Sequence, residues 1–320
     1  MILATPLPAH PAPPAPPAPP SPPLPPSPPP NQPIIDNPAG HNNLNLDCNE
    51  LNNSPDLDFM FAYNRLYNDL AINDNPYANV LLDSKFYTLD SLCNTPEAIG
   101  LPLYLSLNVQ SLNSKHAELC LTINELQRKK VQIDVIAIQE TWEVRYPELV
   151  NIEGFQTFIF KNRESTRGGG VGFYVRKGLR FKILEDLSPF EDKIFESLTI
   201  KLTYPSNKSV LLTCGYRSNG IIPNVTPAQQ LNSFTAIFEE LLLNLNRKKL
   251  DSYILMDANI DLLKLENNIP STFLNSCISA GYLQCITKAT RFQNEARTLI
   301  DHILLSCKQM KSIPEQLYLT

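Results

Sequence analysis

The stretch LYLSLNVQSLNSKHAELCLTINELQRKKVQIDVIAIQ, residues 103–139, decides the fold. Leu103-Tyr-Leu-Ser-Leu-Asn-Val109 reads as an apolar strand. Residues 114–130 carry Leu119, Ile123 and Leu126 at helical spacing, so one face of a helix is apolar. Asp134-Val-Ile-Ala-Ile-Gln139, with an apolar centre, reads as a second short, buried strand. Two strands joined through a helix form a crossover unit, which places them parallel in one sheet and makes the domain α/β.

Downstream of this unit, strand-like runs occur near residues 155–160, 170–175, 194–202 and 210–216, spaced closely enough for antiparallel pairing. Thr226-Pro-Ala-Gln229 has the form of a capping box with proline at the first helical position, and the helix it opens is predicted to run to about Arg247. It feeds the strand Tyr253-Ile-Leu-Met-Asp257. A helix over residues 271–280 and a strand Leu299-Ile-Asp-His-Ile-Leu-Leu305 complete the pattern. Two mixed sheets flanked by helices is the architecture that buries all these faces.

Upstream the texture is different. Residues 1–40 hold most of the 29 prolines, and a run such as Pro11-Ala-Pro-Pro-Ala-Pro-Pro17 is expected to be extended polyproline, a spacer that can in principle engage proline-binding modules. Residues 41–100 are rich in Asn, Asp and Leu, with a short helix expected over 57–70 and otherwise weak order. The net charge of -5 divides unevenly, at roughly -8 before residue 101 and roughly +3 after it, so the C-terminal part admits an anionic partner. No window is apolar for a membrane-spanning length, and the first residues lack a basic segment followed by an apolar one. The seven cysteines form no C-x-x-C pair. An intracellular protein without a membrane partner is expected.

The candidate chemistry sits at strand ends. Asp257 and Asn259 are two apart, so on a strand they would face one site, the carboxylate to orient a water and the amide to donate to an anionic oxygen. Asn108, Glu140 and Asp301 occupy similar positions, and polar groups inside apolar strands are costly unless they have partners. Glu140 is an oxygen ligand of the kind Mg²⁺ prefers. Tyr216 and Arg217 offer a phenol and a guanidinium to a phosphate, and Arg163 and Arg167 could touch a nucleic-acid backbone. Gly168 to Gly170 lack the Lys-Ser/Thr ending of a phosphate-binding loop and lead into a strand, so they read as a hairpin entry. Trp142 reads as packing.

Six segments in order carry a resemblance: Ser106-Leu-Asn-Val-Gln-Ser-Leu112, Gln139-Glu-Thr-Trp142, Gly168-Gly-Gly-Val-Gly-Phe-Tyr-Val175, Tyr216-Arg217, Met256-Asp-Ala-Asn-Ile-Asp261 and Leu299-Ile-Asp-His-Ile303. The chain resembles the endonuclease/exonuclease/phosphatase superfamily, in particular the apurinic-endonuclease-like domain of non-LTR (LINE-type) retrotransposons. The resemblance implies a four-layer α/β sandwich that cuts DNA with Mg²⁺ or Mn²⁺, working in the nucleus beside a reverse transcriptase domain. It implies Glu140 as principal metal ligand, with Asn108 and Asp301 close to metal and phosphate. Asp257 would orient the water, Asn259 would hold the scissile phosphate, and Tyr216 would donate to a phosphate oxygen. Two positions depart from the pattern. Met256 replaces a glycine, and the Ser-Asp-His element that carries the family's histidine is not found up to Thr320. The domain, assigned to residues 101–320, is therefore expected to be truncated, without its last strand, and impaired in nicking. The same scaffold also serves phosphoesterases of small substrates, and a non-catalytic relic is the third reading.

Overall fold

The computed structural model describes residues 84, 87, 92, 103–164, 166–293 and 296–306. The proline-rich segment and the helix expected over 57–70 lie outside the described residues.

The crossover unit forms as its sequence dictates: β1 (Tyr104–Asn108), α1 (Leu112–Arg128) and β2 (Val135–Gln139), with β1 and β2 parallel and Asn108 opposite Gln139. β3 (Ile159–Lys161) and β4 (Val171–Val175) add antiparallel partners, giving the order β1-β2-β4-β3. Residues 162–170 are thus the loop of a hairpin, and the three glycines enter it. Gly170 has φ +84, and a Cβ there would stand 2.4 Å from Thr141 Oγ1, so this close approach requires glycine.

Strand alternation splits β2 between two layers. Ile136 and Ile138 pack with Leu119, Ile123 and Leu126 of α1 on the outside. Val135 and Ala137 face inward, in one core with the second sheet. That sheet comprises β5 (Arg180–Ile183), β6 (Phe190–Glu191), β7 (Phe195–Thr203), β8 (Ser209–Tyr216), β9 (Asp251–Asp257), β10 (Leu283–Gln284) and β13 (Asp301–Ser306). Its order is β10-β13-β9-β8-β7-β5, with β6 paired to β7 and only β8 and β9 parallel. α2 (Pro227–Arg247) and α3 (Asn268–Ser279) cover its outer face, where Phe195, Phe234, Phe238 and Phe273 contact one another at ring-centroid distances of 5.3 to 6.3 Å. The layers run helix, sheet, sheet, helices.

Thr226 caps α2 as a full capping box, its hydroxyl accepting from the Gln229 N–H at 3.2 Å and its own N–H donating to Gln229 Oε1 at 2.9 Å. The strand expected over 155–160 is confined to residues 159–161, and the last strand starts at Asp301 and not at Leu299. β5, β6, β10 and the two-stranded hairpin β11 (Arg291–Gln293) with β12 (Ala296–Thr298) were not anticipated. Segment 41–100 contributes described contacts. The Ser84 hydroxyl donates to Cys285 O and accepts from the Thr287 N–H, and Leu92 is buried among the residues under α1.

Buried Gln139 ties the sheets together. Its amide donates to Ser106 Oγ at 3.0 Å and to Leu255 O, on the opposing sheet, at 3.2 Å. A buried amide with every polar atom to satisfy fixes the offset of the two layers at the strand ends where the candidate residues lie.

Candidate active site

Asn108 is the centre of the cluster. Tyr104, Ser106 and Asn108 alternate onto the inner face of β1, and at its end the Asn108 amide donates to Glu140 Oε1 and to Asp257 Oδ2, both at 2.7 Å. Its carbonyl oxygen accepts from the Gln110 N–H at 3.2 Å, which fixes the amide's orientation. One neutral side chain thereby holds carboxylates from both sheets.

Glu140 reaches this point because the strand breaks. Gln139 points inward, so strand alternation would send residue 140 outward. Glu140 instead adopts φ +52, a left-handed conformation that costs a non-glycine residue about 1–3 kcal/mol. Trp142, also left-handed, donates its indole Nε1–H to Glu140 Oε2 at 3.3 Å. Trp142 was read as packing, and its position two residues after the glutamate was the available signal for this second role.

The pairing of Asp257 with Asn259 comes from a turn and not from strand periodicity, which corrects the same-face expectation. β9 ends at Asp257, and Asn259 lies beyond it with φ +49. The Asp257 carboxylate accepts the Asn259 N–H at 2.9 Å, an aspartate turn that closes the chain on itself. The Asn259 amide donates to Arg217 O at 2.8 Å and keeps a second hydrogen to offer. Arg217 in turn donates to Ala258 O at 3.2 Å, and lies 5.3 Å over the Phe234 ring. It braces this turn, and its buried Nε has no hydrogen-bond partner.

Asp301 stands opposite Asp257 in the β13–β9 register, and Tyr216 opposite Asp257 in the β8–β9 register. His302 points the other way, as strand alternation requires. It is fully buried, its ring 5.5 Å from Phe273 of α3, with Gln284 and Ile260 O as partners. His116 contacts Asn151 O and Cys120 on α1. Neither of these two histidines joins the cluster. Arg163 is engaged in a buried ion pair with Glu196, its guanidinium 5.9 Å from the Tyr216 ring centroid. Arg167 lies 5.7 Å over the Trp142 ring. Glu196, which the sequence reading did not single out, thus underlies the tyrosine.

Electrostatically the cluster is overloaded with negative charge. Burial, then the charge of Asp301, pushes the Asp257 carboxyl well up, and burial raises that of Asp301 to about 6. Glu140 adds to both effects. Burial and the neighbouring carboxylates raise the Tyr216 phenol as well, so it stays protonated and acts as a donor. Among the described residues no three His, Cys, Asp or Glu side chains stand close enough to enclose a metal by themselves. Mg²⁺ does not need such a cage, because it takes one or two carboxylates and keeps water and substrate phosphate as its other ligands. Hard oxygen donors in excess of local positive charge fit that ion, with Glu140 and Asp301 as the side chains to hold it.

This charge surplus has a measurable consequence. Above pH 6 both folded and unfolded chains carry Asp301 ionised, and the folded state bears the cost, so stability falls as pH rises through the interval from 3.8 to about 6. Asp301→Asn removes that cost. At pH 7.5 in EDTA it is expected to raise stability by about 1–2 kcal/mol, after discounting for solvent screening. Added Mg²⁺ should raise the melting temperature of the wild type more than that of the variant; a variant melting below wild type in EDTA would refute this account.

The fold is a sandwich of two mixed sheets with acids and amides gathered at the strand ends. The chain belongs to the endonuclease/exonuclease/phosphatase family, whose sequence profile matches residues 105–306. Members of that family are metal-dependent hydrolases of phosphodiesters and phosphates. Similar solved structures include the Bacteroides thetaiotaomicron mannosyl-6-phosphatase Bt3783, at 15% identity over 64% of this chain and 85% of that one, with a TM-score of 0.45. D. rerio TDP2 complexed with single strand DNA product is 17% identical over 64% and 84%, with a TM-score of 0.43. The Xenopus laevis APE2 catalytic domain is 14% identical over 63% and 82%, with a TM-score of 0.43. No curated protein matches the chain in sequence.

Proposed function

We propose that the chain is a metal-dependent DNA phosphodiesterase, the nicking domain of a non-LTR retrotransposon that works in the nucleus and hands the cut end to a reverse transcriptase. The observation that carries the reading is the Asn108 amide bonded at 2.7 Å to both Glu140 and Asp257, which assembles a hydrolytic cluster from three strand ends. The retrotransposon assignment rests on the wording of Gln139-Glu-Thr-Trp142 and Arg167-Gly-Gly-Gly-Val-Gly172.

A bound divalent ion supplies charge neutralisation at the phosphate. The chain's own residues do the rest. In its ionised form Asp257 accepts a hydrogen bond from the attacking water and orients it, and its raised carboxyl makes that form the one favoured at higher pH. Asn259 offers its second amide hydrogen to a phosphate oxygen, and the protonated Tyr216 donates to another. Trp142 and Asn108 hold Glu140 in its left-handed turn, so the ligand geometry is set before substrate arrives.

The test sets supercoiled plasmid against a phosphoinositide, with Mg²⁺ and with EDTA, under single-turnover conditions. Slow Mg²⁺-dependent conversion to the nicked circle, lost in Glu140→Ala, is the expected result, because no histidine among the described residues joins the cluster to assist the step. Phosphate release from the phosphoinositide with plasmid left intact would assign the chain to the small-substrate branch instead.

A further inference from the structure

The two long helices end alike, α1 running into Arg128-Lys-Lys130 and α2 into Arg247-Lys-Lys249. Each triplet feeds a strand that runs toward the catalytic cluster, β2 to Gln139 and β9 to Asp257, so both stand at the end of the sandwich opposite that cluster. The same end receives Lys177 after β4, Arg180 and Lys182 of β5, Lys201 of β7 and Lys208 in the turn between β7 and β8. A cation in the last turn of a helix answers the helix dipole, which accounts for Arg128 and Arg247. It does not account for the lysines of strands and turns. Lys182 even stands directly opposite Lys201 in the β5–β7 register, a like-charge pairing that costs stability. The nearby carboxylates are engaged: Asp134 is buried and bonded to Arg176, and Glu125, Glu185, Asp186 and Asp251 each pair with a lysine. Among the described residues Lys130, Lys177, Lys201 and Lys249 have no carboxylate partner, and all but Lys201 are exposed.

We infer that this end of the domain binds the phosphate backbone of a second stretch of DNA duplex, away from the stretch being cut. The identity of the polyanion rests on the nuclease reading above; the surplus of positive charge does not. The triplets stand on the two outer layers of a four-layer sandwich, about 30 Å apart at about 10 Å per layer. One helical turn of duplex is about 34 Å, so a backbone met at one triplet returns to the same side near the other. Lysine and arginine side chains at this spacing neutralise phosphates and read no base edges, so binding is independent of sequence and steeply dependent on salt. The surface pairs Arg128–Glu125 and Lys208–Asp251, whose cations are 72% and 68% exposed, contribute little, so phosphate can take these cations as well. The catalytic end carries the opposite sign, so without a metal ion a duplex is repelled there and drawn to the basic end.

The full chain in EDTA is titrated with a labelled duplex two helical turns long at several salt concentrations, following fluorescence anisotropy. The wild type is expected to bind without metal. The triple variant Lys130→Gln, Lys177→Gln, Lys249→Gln should bind about tenfold more weakly, with the slope of log affinity against log salt reduced by about 3. Its maximal Mg²⁺-dependent nicking rate should be unchanged. Arg167→Gln, beside the catalytic cluster, should leave the metal-free binding as it is. The three lysines are exposed, so the fold persists, which a urea-unfolding midpoint like that of the wild type verifies. Binding kept in the triple variant and lost in Arg167→Gln overturns the basic surface and leaves the nuclease reading in place. Residues 41–83 hold seven carboxylates against one arginine, so they are the competing occupant. Weak wild-type binding that tightens when those seven are changed to Asn or Gln assigns this end to that segment and overturns the proposal, as does no binding by either chain. Binding as expected, with phosphoinositide hydrolysis and no nicking, supports the surface and overturns the nuclease reading.

Discussion

Glu196→Ala is expected to destabilise the folded chain by about 3–5 kcal/mol in urea unfolding, the largest stability effect of any single side chain near the site. Glu196 has no solvent exposure and accepts three hydrogen bonds: from the Gly170 N–H at 2.6 Å, the Lys193 N–H at 3.3 Å and Arg163 Nε at 2.5 Å. Arg163 is 7% exposed. Truncating the glutamate therefore strands a buried guanidinium and two backbone donors, and an uncompensated buried charge costs more than the intact pair contributes. Burial raises the Glu196 carboxyl against the pull of these donors, so its ionised form depends on all of them. Exchanging both partners for apolar residues, Glu196→Leu with Arg163→Met, should cost much less than Glu196→Ala alone. A loss below about 1 kcal/mol in Glu196→Ala would show that water enters and solvates Arg163.

That pair also marks where reading along the chain stops. Arg163 looks like a loop arginine available to DNA, and nothing in its local sequence announces that Glu196, thirty-three residues later on β7, lies beneath it. Local signals fared better. The capping box at Thr226, the crossover at 103–139 and the opposed faces of Asp301 and His302 all follow from periodicity or cap chemistry within a few residues. Glu140 and Asn259 were picked for their residue types at strand ends, but their side chains arrive through left-handed backbone, which no alternation rule anticipates. The missed elements divide in two. Arg180-Phe-Lys-Ile183 does alternate and was legible as an edge strand, with burial alternating to match. The β11–β12 hairpin is largely exposed, so it leaves no apolar pattern to read.

On the nuclease reading proposed above, Asp257→Asn is expected to slow metal-dependent phosphodiester cleavage by about 10²- to 10⁴-fold, the range a positioned base contributes, with KM for DNA unchanged. The substitution keeps size and the acceptor for the Asn259 N–H, so the turn persists. It removes the negative charge that orients water, and it sets an amide nitrogen against the Asn108 nitrogen that now donates to Asp257 Oδ2 at 2.7 Å. Two donors then face each other at hydrogen-bond distance. Asn108 must rotate, and Glu140, held by the same nitrogen, loses one of its two constraints. The pH profile separates water orientation from this structural effect. Burial and the charge of Asp301 raise the Asp257 carboxyl, so its ionised fraction falls as pH drops through an interval above the ordinary carboxylate range. Wild-type cleavage should therefore decline toward acid, and the residual rate of Asp257→Asn should be flat across the same interval. A variant rate that keeps the wild-type acid limb would assign that limb to another group, and a raised KM with unchanged kcat would make Asp257 a binding residue only.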